Sequence, residues 1–194
     1  MSRLLGGSDL SGTVQNWGIL KVMRRLALVA ALFCLAVFSF NQRADAQVTL
    51  NETPAVFSAA VGWFDIVQDD DQAVDFRLEY RHGEDFLFLK PWGGVEVTTD
   101  GSVWGGIGVL VDVVFFEDFV VTGSIAPGLY EEGDGKDLGS TFEIRSQIEL
   151  GYQFENLSRV SLGFSHISNA SVDDDNPGAE ILSLYYHLPL DVIF

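Results

Sequence analysis

From Thr141 to Phe154 the chain alternates without a break. Even positions carry Phe142, Ile144, Ser146, Ile148, Leu150, Tyr152 and Phe154, and odd positions carry Glu143, Arg145, Gln147, Glu149 and Gln153. A β-strand sends successive side chains to opposite faces, so only an extended chain gathers these residues into one apolar and one charged face. Residues 73–81 do the same, with Val74, Phe76, Leu78 and Tyr80 opposed to Asp75, Arg77, Glu79 and Arg81. After Gln47 no long apolar run or sustained helical period interrupts the pattern. It predicts eight strands, at 54–66, 73–81, 85–98, 103–115, 117–129, 141–154, 157–168 and 179–190. Turn-forming or acidic clusters such as "QDDDQ", "HGED", "TTDGS", "EEGDGKDLGS" and "DDDNPG" separate most of them. Residues 47–194 contain no repeat or linker and read as one domain.

A soluble β-sandwich gives the same local alternation, because its outer faces are polar. The first 46 residues and the last one favour a membrane barrel. Lys21, Arg24 and Arg25 precede an apolar run from Leu26 to Phe40, which ends in "ADA" at Ala44 to Ala46. A basic start, a short apolar core and an A-x-A exit read as a secretory signal peptide over 1–46; the start is open between Met1 and Met23, the second of which would make 1–22 an over-long start. The apolar run is shorter than the roughly 20 residues that a membrane-spanning helix needs. Phe194 closes the chain, and an aromatic carboxy terminus on a final strand resembles that of bacterial outer-membrane barrels. The fold class expected is therefore all-β, an eight-stranded antiparallel transmembrane β-barrel over 47–194 with a filled polar interior. Arg77, Arg81, Arg145 and Arg159 fall on the inward parity beside Glu79, Glu143 and Glu149, as a salt-bridged plug requires. The competing reading of these charges is a solvated sheet face. Trp63, Trp92 and Trp104 suit either a membrane interface or the interior.

Charge and cysteine content remove several functions. The chain has 28 acidic against 11 basic residues, a net charge of −17, and loss of the leader would take away Arg3, Lys21, Arg24, Arg25 and Arg43. Such a balance repels nucleic-acid phosphates, so nucleic acid is excluded as a partner. Cys34, the one cysteine, lies in the leader, so residues 47–194 have no thiol nucleophile, thiolate metal site or disulfide.

The chemistry is concentrated in "FSHISNASVDDDNPGAE", from Phe164 to Glu180. By parity His166 and Ser168 continue the apolar, outward row of the seventh strand, and Glu180 heads that of the eighth. His166 and Ser168 then stand about 6.5 Å apart on one face, with Glu180 on the paired strand across the loop. A histidine can serve as base to a serine hydroxyl while a carboxylate fixes its tautomer and stabilises its cation. The bland reading is a polar hairpin tip, with "DDDNPG" a solvated turn or divalent-cation patch. His187 has the other parity and reads as structural; His82, in a turn, is given no chemistry.

"SHISNA" followed by "NPGAE", with "LGSTFEIRSQIELGYQF" upstream, resembles the lipid A 3-O-deacylase (acyloxyacyl hydrolase, PagL-like) family of outer-membrane enzymes, the likeness running over about Ser140 to Leu190. The resemblance implies a serine esterase in the outer membrane. Its substrate would be lipid A or lipopolysaccharide in the outer leaflet, cleaved at the ester of the 3-hydroxyacyl chain at position 3. It makes Ser168 the nucleophile, His166 the base and Glu180 the orienter, and gives the oxyanion the Asn176 side-chain amide and the backbone N–H of Ser171. Ser171 stands where many relatives have glycine. Asn169 reads as a loop-ordering residue. No cofactor or metal is implied, and a homodimer is left open. Two other functions fit the same barrel. A non-enzymatic adhesin or membrane-stabilising protein would leave lipid A unaltered, and an acyltransferase would add acyl mass.

Overall fold

The computed structural model describes residues 48–68 and 71–192; the expected leader and Phe194 lie outside them. Among the described residues the nine strands are β1 (Val48–Leu50), β2 (Val56–Phe64), β3 (Ala73–Arg81), β4 (Lys90–Thr98), β5 (Val103–Phe115), β6 (Phe119–Glu131), β7 (Phe142–Gln153), β8 (Arg159–Ser168) and β9 (Ala179–Pro189). From β2 to β9 each strand pairs antiparallel with the next, and β2 also pairs with β9, Val56 opposite Pro189 and Trp63 opposite Leu182. The eight strands therefore close into a barrel and leave no free edge along its seam.

The expected strands match to within a few residues, with two differences. The chain does not enter β4 until Lys90, because Leu87 and Phe88 take φ of 50° and 66° and form a tight turn. Its apolar residues had read as strand, but their backbone is left-handed. The short β1, absent from the sequence reading, pairs with the end of β5, Val48 opposite Phe115. β4 pairs with β5 only from Val103 to Leu110, so β1 covers part of the stretch of β5 that β4 leaves open.

Alternation decides what each face meets. Along β3 burial alternates strictly, with Ala73, Asp75, Arg77, Glu79 and Arg81 buried and Val74, Phe76, Leu78 and Tyr80 exposed. The enclosed face is charged. Arg77 pairs with Asp75 at 2.5 Å and Glu96 at 2.9 Å, and Arg81 with Glu79 at 2.7 Å and Glu149 at 2.5 Å. Arg145 bonds Glu79 and, at 3.0 Å, Glu96; Arg159 pairs with Asp112 at 3.2 Å. Each guanidinium offers a planar fork of donors, so Arg77, Arg81 and Arg145 each bridge carboxylates from two strands. Glu143, expected beside the arginines, is buried with neither carboxylate oxygen hydrogen-bonded among the described residues. The tryptophans divide: Trp92 and Trp104 are enclosed, and Trp63 is exposed on the outer wall.

Candidate active site

The site lies at the end of the barrel that carries the β2–β3, β4–β5, β6–β7 and β8–β9 connections. β8 and β9 pair so that His166 stands directly opposite Glu180, and both side chains point to the outer wall. His166 Nδ1 lies 3.0 Å from Glu180 Oε1, with side-chain exposures of 44% and 20%. A carboxylate only accepts, so Nδ1 carries the shared proton and Nε2 is left as the basic nitrogen. Glu180 Oε2 is buried without a hydrogen-bond partner among the described residues, so this carboxylate's polar contact is with the imidazole. Ser168 lies two residues further along β8 on the same face, half-buried, its Cα paired with that of Ile144. The three residues expected to act together thus share one patch of outer wall; the structure joins His166 to Glu180 by a hydrogen bond and sets Ser168 next in their row.

The β8–β9 loop is ordered from within. Asn169 is buried and donates through Nδ2 to Asp175 O at 2.7 Å and Leu138 O at 3.4 Å, while its Oδ1 accepts the Ser171 N–H at 2.9 Å. The Asn169 N–H in turn donates to Asn176 Oδ1 at 3.0 Å. That bond fixes which way the Asn176 amide points: Nδ2 donates to Ser171 Oγ at 3.5 Å and has a second N–H beside it. The Ser171 N–H is occupied by Asn169. Ala170 and Ser171 have φ of 55° and 61°, so Ser171 adopts the left-handed conformation that glycine takes at little cost.

Two contributors were not read from the sequence. Gly178, which had read as part of a turn, faces the imidazole: a Cβ there would stand 2.9 Å from His166 Cε1 and 3.5 Å from Nε2, and its φ is +66°. The signal available was a glycine two residues before Glu180, where the outward row begins. The second contributor is the neighbouring connections. Ile66 N–H donates to Glu180 O at 3.0 Å, Gln68 Nε2 to Pro177 O at 3.0 Å, and Leu138 supplies a carbonyl to Asn169. Residues distant in sequence carry no local mark of such contacts.

From Ser168 the register runs round the wall to Ile144, then Pro127, and on β5 and β4 to Ile107 and Gly93. Along this row lies an apolar groove of about 910 Å³, bounded by Tyr80, Gly93, Ile107, Ile125, Pro127 and Ile144. Among the described residues no group of three or more His, Cys, Asp and Glu side chains is disposed to hold a metal ion.

A closed barrel that carries a histidine–carboxylate pair, a neighbouring serine and an apolar groove on its outside has the make-up of a hydrolase acting at an apolar surface. The family model for lipid A 3-O-deacylase (PagL) matches residues 68–189, and the chain belongs to that family. The lipid A deacylase PagL of Bordetella bronchiseptica is 39% identical over 51 residues, a match spanning 26% of this chain and 29% of the relative's length. A crystal structure of the outer membrane enzyme PagL superposes with a TM-score of 0.59 at 23% identity, over 70% of this chain and 99% of that one. That likeness is one of fold.

Proposed function

We propose that this protein is an outer-membrane serine esterase that removes the ester-linked 3-hydroxyacyl chain at position 3 of lipid A. The observation that carries the reading is the His166–Glu180 pair on the outer wall, with Ser168 in the same row and Nε2 left open toward a proton donor. The exposed faces of β2 to β9 meet the hydrocarbon of the bilayer, and the paired charges pack inside. The site then stands at the level of the outer leaflet, and the acyl chain to be cleaved lies in the groove that begins at Ile144.

Ser168 Oγ attacks the ester carbonyl as its proton passes to His166 Nε2. Glu180 holds the imidazole tautomer and stabilises the cation that forms. The oxyanion of the tetrahedral intermediate is met by Asn176 Nδ2; the Ser171 N–H becomes a second donor when its bond to Asn169 opens. Collapse expels the sugar oxygen, which takes the proton back from His166 and leaves the acyl group on Ser168. A water molecule, deprotonated by His166, then attacks the acyl–serine ester; the proton passes from His166 to the departing Ser168 Oγ, and the 3-hydroxy fatty acid is freed.

The test is mass spectrometry of lipid A from cells with and without the protein. The wild type should remove the mass of one 3-hydroxyacyl chain. Ser168→Ala should remove none while keeping the gel-mobility shift of a folded barrel. Unchanged lipid A with folded wild type, or full activity in folded Ser168→Ala, would sink the proposal.

A further inference from the structure

Every lysine and arginine after Gln47 is turned away from solvent: Arg77, Lys90 and Arg145 are 1% exposed, Arg81 and Arg159 3%, and Lys136 6%. The four arginines are held by carboxylates inside the barrel. Lys90 Nζ donates to Thr53 O and Oγ1 at 2.5 and 2.6 Å. Lys136, in the β6–β7 loop, is spent on Asp65 at 2.6 Å and on Gln68. No lysine or arginine of the described residues therefore reaches solvent to meet a ligand.

The acidic side chains are disposed the opposite way. Glu131, Glu132, Asp134 and Asp137 at the end of β6 and in the β6–β7 loop are exposed, and so is the run 173–175 in the β8–β9 loop. Asn169 ties the two loops together through Leu138 O and Asp175 O. Both acidic stretches thus belong to one rim, in whose β8–β9 loop Ser168 and Glu180 stand at either end.

Recognition of a phosphate takes exposed arginine forks, lysine ammonium groups or a cluster of backbone N–H donors. This rim offers exposed carboxylates instead. From that disposition of charge we infer that the lipid accepted here presents a headgroup without free negative charge, a phosphate-free acylated saccharide in preference to a bisphosphorylated one. The inference rests on the deacylase reading and adds to it the charge of the substrate. A headgroup bearing phosphates meets a rim of like charge, and the repulsion lowers its rate of encounter; surface potentials of this kind change association rates by about 10- to 10³-fold. A neutral headgroup meets no such barrier.

The test uses the purified wild-type barrel in neutral detergent micelles with a chelator at low salt. It compares lipid A carrying two phosphates with the same lipid A after removal of both, reading the fatty acid released. The phosphate-free lipid should turn over at least about 10-fold faster. The gap should close as salt is raised, because the screening length falls to about 10 Å at 0.1 M. In the combined variant Glu132→Gln, Asp173→Asn, Asp174→Asn, whose substitutions remove charge at nearly constant shape, the rate on the phosphorylated lipid should rise and that on the phosphate-free lipid should hold. Equal rates in chelator, faster turnover of the phosphorylated lipid, or a gap unmoved by the triple variant would overturn the inference and leave the deacylase reading standing. Turnover of neither lipid would overturn both.

Discussion

Two histidines in this chain each stand against a glutamate, in opposite surroundings. His187 points inward, fully buried, with Ser58 Oγ 2.7 Å from Nδ1, Ser161 Oγ 2.8 Å from Nε2 and Glu149 Oε2 3.3 Å away. It has serine, imidazole and carboxylate in contact but no path for a substrate. His166 points outward, and among the described residues its ring is hydrogen-bonded only through Nδ1, to Glu180, which leaves Nε2 open. The difference is parity along antiparallel strands. Glu180 holds the outward ring, and the missing side chain of Gly178 makes room for its Cε1 and Nε2. Gly178→Ala would require a Cβ 2.9 Å from His166 Cε1 and a left-handed alanine. The ring would be displaced from its place against Glu180, and deacylation should fall about 10²-fold, the scale of a misplaced reacting group. The gel-mobility shift should be retained. Wild-type turnover in folded Gly178→Ala would show that the glycine does not position the base.

At the scale of elements, the β3–β4 connection stands out. Phe86 and Leu89 exchange backbone hydrogen bonds of 2.8 and 3.1 Å around Leu87 and Phe88, so these two residues form a two-residue hairpin turn with positive φ at both positions. That geometry matches the twist of the strands but is ordinarily built from Asn-Gly, because a side chain there costs about 1–2 kcal/mol per residue. Asn51 Nδ2 donates to Phe88 O at 2.8 Å and holds the turn from the β1 side. Replacing Leu87-Phe88 by Asn-Gly should therefore stabilise the barrel by about 1–2 kcal/mol, seen as a higher urea midpoint in detergent at unchanged activity. A lower midpoint would mean that the exposed apolar side chains contribute more than the backbone strain removes.

At the scale of the molecule, closure places charged side chains where water cannot reach them, and their mutual satisfaction holds the wall. Arg145 links β7 to Glu79 on β3 and Glu96 on β4, and its guanidinium lies 4.8 Å from the Trp92 ring and 4.5 Å from that of Trp104. Arg145→Ala would remove the fork and leave buried carboxylates underpaired. The expected loss is about 3–5 kcal/mol of stability, visible as a lower temperature at which the unboiled band converts to the boiled one. Arg145→Ala converting at the wild-type temperature would show that the network is dispensable. None of this touches the outer-wall site directly, so the fraction that remains folded should deacylate at the wild-type rate.

The sequence by itself determined the eight barrel strands to within a few residues, their faces and the row that holds His166, Ser168 and Glu180. Period-two alternation is a local property, and parity is inherited from one residue to the next along each strand. It marked Arg77, Arg81, Arg145 and Arg159 as inward, and the motif around His166 pointed to the family. Only the tertiary structure decided what depends on register between distant strands and on contacts between loops. Which carboxylate meets which arginine, and that Glu143 meets none among the described residues, follows from closure of β2 on β9. The left-handed turn at Leu87 and Phe88 was hidden because its apolar residues look like strand. The role of Gly178 and the support given by Leu138 and Ile66 come from loop packing around the site, which residues far apart in sequence cannot announce.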